Sequence, residues 1–329
     1  MKRGLRIGLM ILLAVICAGS VVMLFLRNAD YREGEEAYAE AEELAELPDL
    51  SGLPVPQPEP APAIEAEEET PEETPAVYVD PYADALRNMD FTALREVNPD
   101  VLGWILIPGT AVSYPVVQGT DNQYYLNHTW KKWTSAVGAI FMECRSSRDL
   151  SDFHTVIYGH RMNNGSMFAS LKYYKQQSYW ESHPCVYITD DDGTHKYDIF
   201  TAYEAPTDGS TYQIGFSGAA SKQAFLDDCM ARSVLTTGIT PTVHDRILTL
   251  STCTGRGHET RWVVQAVLKT EAAPEPEPAS EPEPEAPALE ELPEELPEET
   301  PEKTPEETPE ETPEETPEET PETTEDAPA

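Results

Sequence analysis

Cysteine is scarce in this chain. Its 329 residues hold five, at positions 17, 144, 185, 229 and 253, with no C-x-x-C pair and no regular spacing. Such a pattern specifies no disulfide framework. No closely spaced Cys or His pair suggests a metal site either, so none is expected. Glycine-rich phosphate loops of the GxGxxG or Walker type are missing, and with them the reason to expect a nucleotide cofactor. Basic charge is scarce too: 22 Lys and Arg stand against 60 Asp and Glu, a formal net charge of −38. A polyanion of that strength repels phosphates, which excludes nucleic acid as a partner.

The acidity is concentrated in the flanks. Residues 1–76 carry 5 basic and 16 acidic groups, 77–270 carry 16 and 20, and 271–329 carry 1 and 24. The middle segment therefore has an ordinary globular composition and is long enough for one domain with a sizeable core. Only one long hydrophobic run is present, Ile7 to Leu26, preceded by Lys2, Arg3 and Arg6. Twenty helical residues span about 30 Å, the hydrocarbon thickness of a bilayer. Residues 1–28 are read as an uncleaved membrane anchor with the basic cluster cytoplasmic and the rest of the chain outside. A cleaved secretory leader is the competing reading, although its apolar region usually stops near about 15 residues.

Residues 29–76 read as an acidic linker. Tyr31 to Leu47 continues as a frayed helix, and Pro54 to Pro75 is an extended Pro/Glu-rich spacer. The domain is placed at 77–270. Pro81 to Val97 has helical periodicity and stops at Asn98-Pro99. Short apolar strands follow at 101–107, 114–118, 138–142, 155–158, 186–188, 196–203, 247–250 and 262–268. Asp191-Asp192-Gly193 forms a hairpin turn, and Ser217 to Arg232 is helical. Many short strands with few helices indicate a mostly β, closed or nearly closed barrel with helical insertions. Residues 271–329 are a Pro/Glu/Thr tail, with Thr-Pro-Glu-Glu recurring from Thr300 to Glu319, kept extended by its prolines and repelling glutamates.

Two strands end, and a third begins, on reactive side chains. Leu248-Thr249-Leu250-Ser251-Thr252-Cys253 ends on a thiol, Thr155 to His160 ends on an imidazole, and Arg261 opens the last strand. A thiol of ordinary pKa is mostly protonated at neutral pH, so a nucleophilic cysteine needs positive charge beside it, which His160 and Arg261 would supply. The other histidines match no motif. His258, five residues past Cys253, is the only rival for the imidazole role. Cys144, Cys185 and Cys229 read as inert buried thiols.

These blocks resemble the sortases, the membrane-anchored cysteine transpeptidases of Gram-positive bacteria, and class B in particular. The pattern T-L-x-T-C is present as Thr249-Leu250-Ser251-Thr252-Cys253, with the arginine at Arg261 and the histidine in Tyr158-Gly159-His160. Asn98 to Ile105, Asp121 to Leu126 and Gly165-Ser166-Met167-Phe168 match further class B blocks. The resemblance implies a barrel of about eight strands with N-terminal helices and a helix inserted between the sixth and seventh. It implies Cys253 as nucleophile, His160 as general acid and base, and Arg261 as stabiliser of the oxyanion and of substrate carbonyls. It also implies substrate contacts at Asn122, Leu126, Tyr212 and Ser251. The partners implied are surface proteins with a C-terminal sorting signal, and a peptidoglycan-precursor or pilin-lysine amine as acceptor.

Two other classes compete. A papain-like wall peptidase usually presents Cys before His, whereas His160 precedes Cys253 here. A non-enzymatic acidic adhesin would have no use for a polar thiol loop facing Arg261.

Overall fold

The computed structural model describes residues 3–58, 80–255, 257 and 259–268. Residues 59–79, which hold most of the Pro/Glu spacer, together with Arg256, His258 and the acidic tail, lie outside the described residues. The chain opens with helix α1 (Arg3–Leu44). Its Ile7–Phe25 portion has a mean hydropathy of 2.8 and is not buried, so it is long and apolar enough to cross a membrane. Beyond it the sequence is rich in Ala and Glu, both strong helix formers, and the helix continues without a break. It ends where Glu46 turns to φ 48° and Leu47 N–H reaches back to the Glu42 carbonyl, a left-handed stop ahead of Pro48.

That second half of α1 is not the frayed start of a linker. Gly34, Ala37, Tyr38, Ala41 and Ala45 recur every three or four residues and are buried. Leu44 and Leu47 pack against the core beside them. Small residues set the distance: a Cβ on Gly34 would come within 2.8 Å of Val137. The packed domain therefore takes in residues of the segment read as linker, well before residue 77.

The helical stretch predicted at 81–97 is two helices, α2 (Pro81–Leu86) and α3 (Thr92–Val97). Asp80 caps the first by accepting from the Tyr82 and Ala83 amides, and Asp90 accepts from the Thr92 amide at the start of the second. The periodic run is therefore interrupted between Leu86 and Thr92, where the Asp90 carboxylate holds a turn by accepting from the Thr92 amide. The barrel comprises β1 (Val101–Leu106), β2 (Ser113–Val117), β3 (Ile140–Met142), β4 (His154–Tyr158), β5 (Cys185–Asp190), β6 (Gly193–Pro206), β7 (Arg246–Cys253) and β8 (Thr260–Leu268). Its closed order is β1-β2-β3-β4-β7-β8-β6-β5. A 3-10 turn at Phe168–Lys175 and the short helix α4 (Gln177–Ser182) precede β5. Helix α5 (Ala219–Ala231) lies between the sixth and seventh strands, and α4 is an element the sequence pattern did not suggest.

The facing of side chains along β7 and β8 explains why β8 reads as a nearly continuous apolar run while β7 alternates apolar with buried hydroxylic residues. Leu248, Leu250, Val264 and Ala266 join the central cluster with Trp104, Ile105 and Phe141. The intervening Ile247, Val263 and Val267 pack outward against Phe225, Leu226 and Cys229 of α5. In β8, covering both faces removes the apolar-polar alternation of a half-exposed sheet. Each large aliphatic side chain so buried contributes roughly 1.5–3 kcal/mol.

Candidate active site

Two pairings of β7 decide where the reactive groups lie. It runs parallel to β4, with Tyr158 beside Ser251, so residues two further on in each strand, His160 and Cys253, leave the barrel at the same rim. It runs antiparallel to β8, with Cys253 directly opposite Arg261. Backbone bonds extend the junction past the strand ends: Gly159 N–H donates to the Ser251 carbonyl at 3.1 Å, and the Thr252 hydroxyl donates to the Gly159 carbonyl at 2.8 Å. The β7–β8 hairpin and the sequence-distant end of β4 thus deliver thiol, guanidinium and imidazole to one rim.

The electrostatics of the rim favour the charged pair. A hydrogen bond from His160 holds the Cys253 thiol below its ordinary pKa against the opposing effect of burial, helped by the charges of Arg261, His160 and Arg161. The same bond to Cys253 raises the His160 pKa, more than offsetting its own burial, and the Leu126 carbonyl adds to it. His160 Nε2 donates to that carbonyl at 2.6 Å. Cys253 and Arg261 are both half-buried at the rim. The remaining thiols differ: burial pushes Cys185 up to about 12 and also raises Cys229, while Cys144 is raised by burial and by neighbouring Glu143.

Known proteins share this framework. A family model described as Sortase domain matches residues 105–269. The chain belongs to the sortase family. It is 34% identical over 179 residues to Sortase B of Staphylococcus aureus and 35% identical over 180 residues to Sortase B of Listeria monocytogenes, in each case 54% of this chain and 73% of the relative. The crystal structure of Staphylococcus aureus Sortase B aligns with a TM-score of 0.52 and 33% identity, covering 55% of this chain and 87% of that one. Sortase B from B. anthracis in complex with AAEK1 aligns with a TM-score of 0.56 and 29% identity, covering 73% and 98%. The chain is accordingly a class B sortase, a cysteine transpeptidase built on a closed eight-stranded barrel with an inserted helix.

Within this sortase the four residues expected to meet substrate fall into two kinds. Leu126 is 44% exposed, and while its carbonyl holds His160 its side chain stands free at the rim. Tyr212, just before α5, stacks on Tyr158 with ring centroids 6.3 Å apart, and its hydroxyl bonds Ser251 Oγ at 2.8 Å. Ser251 is buried, so that hydroxyl serves to fix Tyr212. Asn122 likewise turns its amide inward: Nδ2 donates to Glu143 at 2.7 Å, and Oδ1 accepts from the Cys144 amide at 2.9 Å.

Two supporting residues escaped the sequence reading. Glu143 is almost fully buried just past β3 and accepts from Arg145, Asn122 and the Tyr158 hydroxyl. Burial pushes its carboxyl up, but those bonds and the Arg145 charge outweigh it and hold the group at about 2. It ties the loop carrying Asn122 to the strand that leads to His160. Arg161 donates to the Thr254 carbonyl, holding the turn that follows Cys253. Gly255 lies at φ +78°, and a Cβ there would come within 2.7 Å of the Arg161 guanidinium, so this turn requires glycine. Glu143 ends the apolar run Ile140-Phe141-Met142, the same strand-end pattern that marked Cys253 and His160.

Proposed function

We propose that Cys253, His160 and Arg261 are the catalytic groups of a membrane-anchored transpeptidation. The enzyme cleaves a C-terminal sorting motif after its threonine and joins that threonine to a cell-wall or pilin amine. The observation that carries this reading is the strand register that sets Cys253 directly opposite Arg261 and level with His160, where thiol and imidazole each favour the other's charged form. In the first half, the Cys253 thiolate attacks the threonine carbonyl, and Arg261 donates to the oxyanion. That attack forms the C–S bond; collapse of the tetrahedral intermediate restores the carbonyl and breaks the C–N bond, while imidazolium His160 gives its proton to the departing amine. In the second half, His160 takes a proton from the acceptor amine as it attacks the thioester. The new C–N bond forms, the C–S bond breaks and the thiolate returns. Arg261 keeps its proton throughout, which suits it to charge stabilisation rather than proton transfer.

Leu126 and Tyr212 form the walls that meet the sorting peptide, with Ser251 and Asn122 holding those walls in place. Relatives solved as a Staphylococcus aureus sortase B-substrate complex and as Sortase B complexed with triglycine support a peptide donor and an amine acceptor. Ile7–Phe25 anchors the enzyme, the basic residues before it stay cytoplasmic, and the barrel works outside the cell of a Gram-positive bacterium.

The test mixes the full-length protein in detergent with fluorogenic sorting peptides, with and without amine acceptors. Mass spectrometry then seeks an acyl adduct on Cys253. The expected result is an adduct that acceptor amine discharges, with no cleavage by Cys253→Ala. Cleavage that persists in Cys253→Ala rules the mechanism out.

A further inference from the structure

The juxtamembrane half of α1 reaches the catalytic rim through one buried hydrogen bond. The Tyr38 hydroxyl donates to the Gly138 carbonyl at 2.6 Å, between residues a hundred positions apart. Gly138 lies at φ +63°, and its Cα is flush against the catalytic wall. A Cβ there would stand 2.9 Å from His160 Cδ2 and 2.8 Å from the carbonyls of both Tyr125 and Leu126. The Leu126 carbonyl is the one that accepts from His160 Nε2. Backbone bonds close the unit, with Ala139 N–H donating to the Tyr125 carbonyl and Gly138 N–H to Ser135. The imidazole is therefore held on its edge by Gly138 and at Nε2 by Leu126, and both belong to a single folded loop.

That loop is seated on α1 at several points. Trp130 Nε1 donates to the Ala37 carbonyl at 2.7 Å, Lys131 pairs with Glu40 at 2.6 Å, and Val137 packs on Gly34. Burial drives the Tyr38 pKa far above the phenol range, so its hydroxyl remains a donor at every working pH. About 20 Å of uninterrupted helix joins the end of the apolar run at Phe25 to Tyr38.

We infer that Tyr38 is a positioning residue for His160: the anchor helix itself sets the imidazole against the thiol by pinning the Gly138 carbonyl. The inference rests on the reading of Cys253 and His160 as the reacting pair. Losing the pin lets the 135–138 loop relax and the imidazole drift from sulfur. The thiolate then loses its hydrogen bond while the peptide-binding walls at Leu126 and Tyr212 persist.

The experiment compares wild type, Tyr38→Phe, Cys253→Ala and His160→Ala, each full length in detergent. It measures kcat and KM for a sorting peptide and the pH profile of Cys253 alkylation by iodoacetamide, at a temperature below each variant's melting point. Tyr38→Phe keeps the ring and removes only the donor. The expected result is a fall in kcat of about tenfold, equivalent to about 1.4 kcal/mol. KM should stay within about twofold, and the alkylation midpoint should move to higher pH. Simple destabilisation lowers the folded fraction and leaves the alkylation midpoint of the folded enzyme in place. Should Tyr38→Phe prove too unstable, Tyr38→Trp, whose ring presents an N–H at a different reach, must show the same upward shift. Unchanged kcat and midpoint overturn the inference while Cys253→Ala and His160→Ala remain inactive. Cleavage by Cys253→Ala would instead overturn the parent reading, and this inference with it.

Discussion

Strand β4 opens on one histidine and leads into another just beyond its end, and the two have opposite chemistry. His154, which opens the strand, is buried under Phe216 and Phe225, and burial lowers its pKa to about 4. In the neutral ring, Nδ1–H donates to the Gln213 carbonyl at 2.9 Å, and Nε2 accepts from the Thr249 hydroxyl at 2.7 Å. That hydroxyl also accepts from Gln265. His160, two residues past the other end, lies at the rim, and its bond to Cys253 raises its pKa. Thiols divide the same way, Cys253 lowered at the rim and Cys229 raised on the buried face of α5. Residue type sets what a group can do. Its place on the strand sets which protonation state it holds.

The largest break in this comparison is expected at His160. Replacing it with alanine removes the proton donor and acceptor and should lower kcat/KM by about 10²–10⁴-fold. His154→Gln should retain most activity. Peptide-cleavage kinetics on both variants check the contrast, and equal losses would erase the distinction between rim and interior. Arg261→Gln comes next. Losing a charged donor aimed at the oxyanion should cost about 10²–10³-fold in kcat, read in the same assay.

A smaller effect sharpens the comparison through stability. The folded-state pKa of His154 lies below the ordinary value of 6.5, at about 4, so the unfolded chain binds a proton the native state refuses. Stability from this residue is full above pH 6.5 and declines as pH falls toward about 4. The decline is on the order of 3 kcal/mol. Urea melts at several pH values should show a shallower slope across that window in His154→Gln. Identical slopes would place the titration elsewhere.

Much of the fold and of the reactive trio was legible because both are written locally. Each strand is a short apolar run bounded by turns, and Cys253, His160 and Arg261 each sit at the end of such a run. The parallel pairing of β4 with β7 is not written locally, and only that register puts position 160 level with 253. The helix predicted across 81–97 is interrupted before Thr92, where a turn held by the Asp90 carboxylate overrides periodicity. Acidic composition hid the docked half of α1, because its buried face consists of small residues and one tyrosine rather than a leucine stripe. Glu143 went unread since a lone carboxylate after a strand means nothing until Asn122, Arg145 and Tyr158 converge on it. The bond from Tyr38 to Gly138 spans a hundred residues, and no local pattern encodes it.

The most direct test of the central claim is the pH dependence of Cys253 alkylation, followed by mass spectrometry of its own peptide in the full-length enzyme. Iodoacetamide reacts with thiolate, so the profile reports the ionisation of this sulfur. The account predicts a midpoint below the ordinary thiol value in the wild type and a clear rise in His160→Gln. A midpoint unmoved by losing the imidazole, or one already at or above the ordinary value in the wild type, would contradict it.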